Sequence, residues 1–271
     1  SAASPLVWLN SVIGWRYSFI WVGVVTCILG IMVWVWVRDT PSKKGWPDIV
    51  HPASSSNHPI SLKVGLKTVI SSPFFWPVAI WFFFTCGIFF TVGGLWGGPF
   101  LTQVYGLTRF ESGRILSMLA VGMIIGSPLL SYLSTHVVKG RKPVLVLSAI
   151  VIMMLMGILT VFINQLPIIC LYLIFLGLGV FSSAIVVIGF TTTKELFPVQ
   201  IAGTATGLVN LFPFAGGAIM QPFTGYLLER HGRIAEAFTV QGYRSLFIFM
   251  LISAVIAFLS SLKMKETLPK N

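Results

Sequence analysis

The sequence predicts an all-α fold, a polytopic bundle of transmembrane helices. Three observations carry that reading. Hydrophobic residues make up 56% of the 271 residues and charged residues only 9%, against about 25% charged in an ordinary soluble domain. Mean hydropathy is +0.91. The apolar residues are gathered into runs long enough to cross the hydrocarbon of a bilayer, which takes about 20 residues. A soluble surface needs charge to cover it. The composition therefore excludes a soluble enzyme, a nucleic-acid-binding domain and a disordered chain.

Seven such runs follow one another, at 17–37, 74–101, 113–135, 143–163, 168–193, 201–228 and 243–262. They show little 3.6-residue polarity, as expected of helices surrounded by lipid and by each other. They are too long, and alternate too little, to be strands. The stretch 5–13 reads as the tail of an eighth span, and Ser1, with no initiator Met and no signal-peptide pattern, reads as a cut end. Cys27, Cys86 and Cys170 each lie inside an apolar run. No disulfide framework, metal site or cofactor follows from them.

The net charge of +11 is topological. The basic residues stand in short runs between the apolar stretches rather than on an aromatic-rich face, so no nucleic-acid partner is implied. Arg38, Lys43, Lys44, Lys63, Lys67, Lys139, Arg141, Lys142, Lys194, Lys263, Lys265 and Lys270 fall on one side. Arg16, Arg109, Arg114, Arg230, Arg233 and Arg244 fall on the other. The side richer in Lys and Arg is expected to be cytoplasmic, which puts the C-terminus there. The expected organisation is a truncated span (1–13), a complete span (14–37), a cytoplasmic linker (38–73), a six-helix bundle (74–262) and a cytoplasmic tail (263–271). The Pro- and Ser-rich part of the linker, 51–59, reads as flexible.

The two ends of the chain echo each other. Gly14-Trp15-Arg16-Tyr17 precedes the first complete span and Gly242-Tyr243-Arg244 the last, 228 residues apart. The exits Arg38-Asp39-Thr40-Pro41 and Lys265-Glu266-Thr267-Leu268-Pro269 lie 227 apart. A repeat of six helices results, with both units entering and leaving on the same side. Two parallel six-helix halves form a transporter architecture. The first complete span would be the sixth helix of one unit, and the next six would be the other unit.

With that frame the chain resembles the major facilitator superfamily from helix six to the end. Leu95-Trp96-Gly97-Gly98-Pro99-Phe100-Leu101, followed by Tyr105-Gly106-Leu107, is similar to the end of helix seven in that family. The stretch from Ser131 to Pro143 resembles its loop between helices eight and nine, and Glu195-Leu196-Phe197-Pro198 with Ala202 to Asn210 its helix ten-to-eleven turn. One departure stands out. Where the family has Gly, Asp and Arg, this chain has Ser131, Thr135 and His136. Thr135 can cap a helix as an oxygen acceptor, but it brings no charge to an ion pair at that loop. Arg141, Lys142 and Glu195 remain as gating candidates beside Thr135, with plain positive-inside anchoring as the alternative reading of the two cations.

Polar residues inside the spans are the candidates for substrate binding. Asn210, Phe214, Gly217 and Gln221 fall at helical spacing on one face. Thr85, Phe89, Val92 and Trp96 do the same in the second run, and Ser182 and Ser183 lie near the middle of the fifth. An amide avoids lipid, so these positions face the interior, either as cavity lining or as inter-helix hydrogen bonds. The resemblance implies that these three helices line a central cavity. Gly93, Gly94, Gly97 and Gly98 with Pro99 read either as a flexible gate or as tight packing. Gly122 with Gly126, and Gly203 with Gly207, read as small-residue packing seams.

No Asp, Glu, Lys, Arg or His lies deep in a complete span, so a proton relay is not supplied by this part of the protein. The chain also lacks a mid-span Lys of the kind a retinal receptor needs, and it has no H-E-x-x-H or G-x-S-x-G motif. The resemblance implies a secondary transporter that moves a small organic anion or metabolite by alternating access, with drug efflux as the alternative and a seven-helix receptor as a distant one. Its partners would be the substrate, a co-transported proton or ion, the lipid bilayer and an N-terminal six-helix half. Its place would be a bacterial inner membrane. A single half provides one wall of a cavity. Reconstituted alone in vesicles, this chain should therefore give no uptake of a metabolite panel above empty vesicles.

Overall fold

The computed structural model describes residues 3–38, 45 and 61–268, with side chains described from residue 13 onward. The chain divides into two units, Ser1–Pro59 and Ile60–Asn271. The first unit contains α1 (Ala3–Trp36), which is broken at Gly14, where φ is 78°. Only glycine takes that conformation without strain. The part Ile13–Trp36 is long and apolar enough to cross a membrane. Its large apolar side chains, Trp21, Ile28 and Trp34 among them, are exposed.

The second unit opens with a short helix, α2 (Leu62–Ser71), which the hydropathy pattern does not announce. It lays Gly65 and Val69 inward, and Gly65 approaches Thr204 and Ile201. The first span of the bundle follows as α3 (Phe75–Phe89), a π-helical segment Phe90–Trp96, and α4 (Gly97–Tyr105). Pro99 accounts for the wide turn. It has no N–H for the Leu95 carbonyl, and its ring crowds that oxygen, so the ladder opens just before it. Gly106 closes α4 in the left-handed region at φ 65°.

The second span is α5 (Arg109–Tyr132), extended by a π-helical turn Leu133–Val137. A capping box starts α5: Thr108 accepts from the Glu111 N–H, and Glu111 accepts from the Thr108 N–H. Next come α6 (Arg141–Val161) and α7 (Ile168–Ser182), the latter continued by a π-helical turn Ile185–Gly189 and α8 (Phe190–Glu195). The run at 201–228 is two helices, α9 (Val199–Val209) and α10 (Leu211–Arg230). Pro213 explains the interruption, because its ring meets the carbonyl of Val209 four residues back. The loop beyond α10 contains a two-residue ribbon, β1 (Arg233–Ile234) antiparallel to β2 (Ala237–Phe238). The last helix, α11 (Val240–Leu262), is capped by the Thr239 hydroxyl accepting from the Gly242 N–H.

The predicted all-α membrane bundle is therefore what the chain forms. Among the described residues six helical stretches are long and apolar enough to span, and the remaining run is divided at Asn210. Buried side chains fall into two apolar clusters. One holds Phe100, Phe175, Tyr243 and Phe247, and the other Phe75, Trp81, Phe82, Val144 and Ile201. Small and polar groups are buried where these clusters meet, with the Ser148 hydroxyl donating to the Phe181 carbonyl at 2.6 Å.

Helices α5 and α7 approach backbone to backbone. A Cβ on Gly122 would collide with the Leu176 carbonyl, one on Gly126 with the Val180 carbonyl, and one on Gly179 with the Leu119 carbonyl. Gly122 and Gly126 thus form the expected seam. Gly203 and Gly207 do not: a Cβ on either would meet nothing within 4 Å. The spacing alone could not tell a packed face from an open one. Replacing Gly122 or Gly126 by Ala should destabilise the detergent-solubilised chain by about 1–3 kcal/mol through overpacking. Gly203→Ala should change its melting temperature little, and thermal unfolding followed by circular dichroism reads both.

Candidate functional site

The open face at Gly203 and Gly207 belongs to a groove of about 610 Å³ between α8 and α9. Val186 and Phe190 form its apolar wall. Thr206 and Asn210 form the polar one, and Lys194 stands at its end. No carboxylate lines it. The two glycines leave the room, and the break caused by Pro213 exposes Asn210 at the edge.

The other expected binding residues are distributed. Phe214 is exposed and stacks on Phe90 at 6.2 Å between centroids. Gln221 donates its amide to the Phe90 carbonyl at 2.9 Å. The Trp96 indole donates to the Gln221 carbonyl at 3.2 Å. Trp96 and Gln221 therefore fasten the π-helical segment of the first span to α10. Phe89 is half-buried and packs edge-on against Phe90. Thr85, Ser182 and Ser183 are buried, and Ser183 donates to the Val180 carbonyl within its own helix. The face that α-helical spacing assigned to Thr85, Phe89, Val92 and Trp96 crosses the π-helical segment, where a wider turn rotates later residues out of register. Asn210 lies in the groove, while Gln221 lies in an inter-helix contact.

A second polar assembly forms at the expected cytoplasmic end. Helix α6 starts at Gly140, which has no side chain to cap it. The cap comes from the tail: one Glu266 oxygen accepts from the Arg141 N–H at 2.8 Å, and the other from the Lys142 N–H at 3.1 Å. Gly140 is needed for space, since a Cβ there would stand 2.9 Å from the Glu266 carboxylate. The N–H groups of Thr267 and Leu268 also donate to Glu266. Partial burial pushes its carboxyl up, but these four backbone donors outweigh burial and hold it below the ordinary carboxylate range.

The Arg141 guanidinium pairs with Glu195 at 3.2 Å, and its other terminal nitrogen donates to Ser134 and Thr135 at 3.2 and 3.4 Å. The Thr267 hydroxyl donates to the second Glu195 oxygen at 2.6 Å. The charge missing at Thr135 is thus supplied from Glu195 on α8. Arg141, Glu195 and Thr135 meet in one cluster. Lys142 joins it through its backbone N–H. Glu266, Ser134 and Thr267 were not among the expected residues. The one signal was a helix start at glycine, which must find its cap elsewhere.

The chain has relatives among known proteins. A profile of the Major Facilitator Superfamily matches residues 2–219 and again 99–271. The glycerol-3-phosphate transporter of Bacillus subtilis (strain 168) is 25% identical over 84% of this chain and 54% of its own length. A probable hexose phosphate transport protein of Chlamydia trachomatis is 25% identical over 90% of this chain and 55% of its own length. The chain spans about half the length of these relatives. In fold it is similar to a bacterial homolog of the human lysosomal transporter Spinster, in an inward-facing, unoccupied conformation. The TM-score is 0.53 at 16% identity, covering 96% of this chain and 63% of that one. The helical runs, their order and a family profile that reaches from one end to the other agree, and the chain belongs to the Major Facilitator Superfamily of membrane transporters.

Proposed function

We propose that the protein works as a secondary transporter of small organic anions in a bacterial inner membrane, with phosphorylated metabolites as the substrate class. The observation that carries this reading is the groove, whose single charge is Lys194 and which has no acidic lining. A cationic end beside the Thr206 hydroxyl and the Asn210 amide suits a phosphate or carboxylate. The names of the relatives point the same way. A hydrophobic cation leaving the cell would need an acid on that wall.

Alternating access requires each six-helix half to rock as one body. In this reading the assembly at Arg141, Glu195 and Glu266 ties the ends of α5, α6, α8 and the tail together, so that they move as a unit. Thr135 and Lys142 complete that clasp.

Proteoliposomes holding the complete protein should take up labelled glycerol-3-phosphate or a hexose phosphate with saturation. Neutral glycerol, free hexose and cationic dyes should not compete. Lys194→Gln should raise KM about tenfold, the loss expected of one hydrogen bond to a charged group at about 1.5 kcal/mol, and Asn210→Leu should raise it less. Dye-stimulated flux without phosphate-ester uptake would overturn the assignment.

The clasp has a pH signature. Its lowered carboxyl contributes stability that is complete above the ordinary carboxylate pKa of about 4.3 and is lost as pH falls through the lowered value. Melting temperature against pH should fall steeply on the acid side for the native chain. Glu266→Gln should start lower at neutral pH and fall less steeply.

A further inference from the structure

We propose that a crevice between the start of α3 and the end of α11 binds an anionic phospholipid of the cytoplasmic leaflet, with the acyl chain along the crevice and the phosphate at Lys263 and Lys265. The crevice has a volume of about 360 Å³. Its walls include Pro73, Trp76, Ile80, Ile256 and Leu259, Pro77 and Ser260 complete them, and Lys263 closes one end.

Depth fixes the kind of occupant. Phe75 begins one spanning stretch and Leu262 ends another, so the crevice opens where hydrocarbon gives way to headgroups. From Ile248 to Leu262 the exposed large side chains of α11 are Ile248, Ile252, Val255, Ile256, Leu259 and Leu262. The Ser260 hydroxyl at the crevice donates to the Pro77 carbonyl at 2.8 Å, so that surface is aliphatic, in contrast with the groove beside Lys194. Trp76 stands at the same level with its indole N–H bonded to the Ile70 carbonyl at 3.0 Å. Trp side chains favour this interfacial layer.

Charge fixes the headgroup. Lys265 lies 5.1 Å over the Phe74 ring, next to Pro73 at the crevice. Among the described residues neither Lys263 nor Lys265 meets a carboxylate within 4.0 Å, the ion pairs there being Arg141–Glu195 and Arg233–Glu229. The acid nearest in sequence, Glu266, is engaged by four backbone N–H groups and pairs with neither lysine within 4.0 Å. Lys63 and Lys67, both exposed on the preceding α2, add to the positive field of this side. Basic pockets between helix ends on the cytoplasmic side suit anionic headgroups.

The test uses the chain purified in a neutral detergent, with phosphatidylglycerol, phosphatidylcholine or inorganic phosphate added separately. Phosphatidylglycerol should raise the melting temperature by several degrees, and native mass spectrometry should show a retained lipid adduct. Phosphatidylcholine and phosphate should do neither. Lys263→Gln with Lys265→Gln should cut adduct retention at least threefold and remove most of the shift, while Lys139→Gln, an exposed cation elsewhere on the same side, should keep both. Equal retention in the double variant, an equal effect of phosphatidylcholine, or reproduction of the shift by phosphate would each overturn the site. Because none of these measurements involves transport, failure of the organic-anion reading leaves this result standing, and the reverse holds too.

Discussion

A backbone amide in hydrocarbon has no water to bond to, and the rest of this structure depends on that constraint. It is why the bundle is made of helices, whose amides are satisfied within each segment. It also governs where helices are allowed to be irregular. The ladder widens at Phe90–Trp96 and breaks at Asn210. The widened segment is bridged by side chains from a neighbour: Gln221 reaches the Phe90 carbonyl, and Trp96 reaches back to the Gln221 carbonyl. The break at Asn210 instead lies beside the groove. Both of these irregularities lie where protein or a cavity takes the place of lipid.

The two ends of the bundle are held by different chemistry. At the end that carries the β-ribbon, hydrogen bonds dominate. The Gln103 side-chain oxygen accepts from the Tyr243 hydroxyl at 2.8 Å and from the Phe238 N–H at 3.1 Å, joining α4 to the β-ribbon and α11. The other end uses charge, through Arg141, Glu195 and the capping carboxylate of Glu266. Between them the α5–α7 seam brings backbone against backbone. Contacts of this kind favour a body that moves as a whole.

The faces of the bundle differ in what they offer a neighbour. The α8–α9 face presents Lys194, Thr206 and Asn210 around two open glycines, whereas the exposed face of α11 is wholly aliphatic over its last turns. Polarity therefore distinguishes the two faces.

Much of this was legible in the residues themselves. Composition and run length determine a helical membrane bundle, because about 20 apolar residues have no better solvent than hydrocarbon. Gly122 and Gly126 marked a seam, and Arg141 and Glu195 marked an end where charge gathers. Three things were decided only by the fold. The α-helical arithmetic carries no information about a π turn, so Trp96 and Gln221 became a contact between helices rather than members of two separate faces. The spacing of Gly203 and Gly207 is that of Gly122 and Gly126, yet only the second pair meets a neighbouring backbone. The partner of the α6 N-terminus stands 125 residues away, since a helix start at glycine declares only that a cap is missing. Sequence determines what each segment must satisfy, and the packing of distant segments decides which group satisfies it.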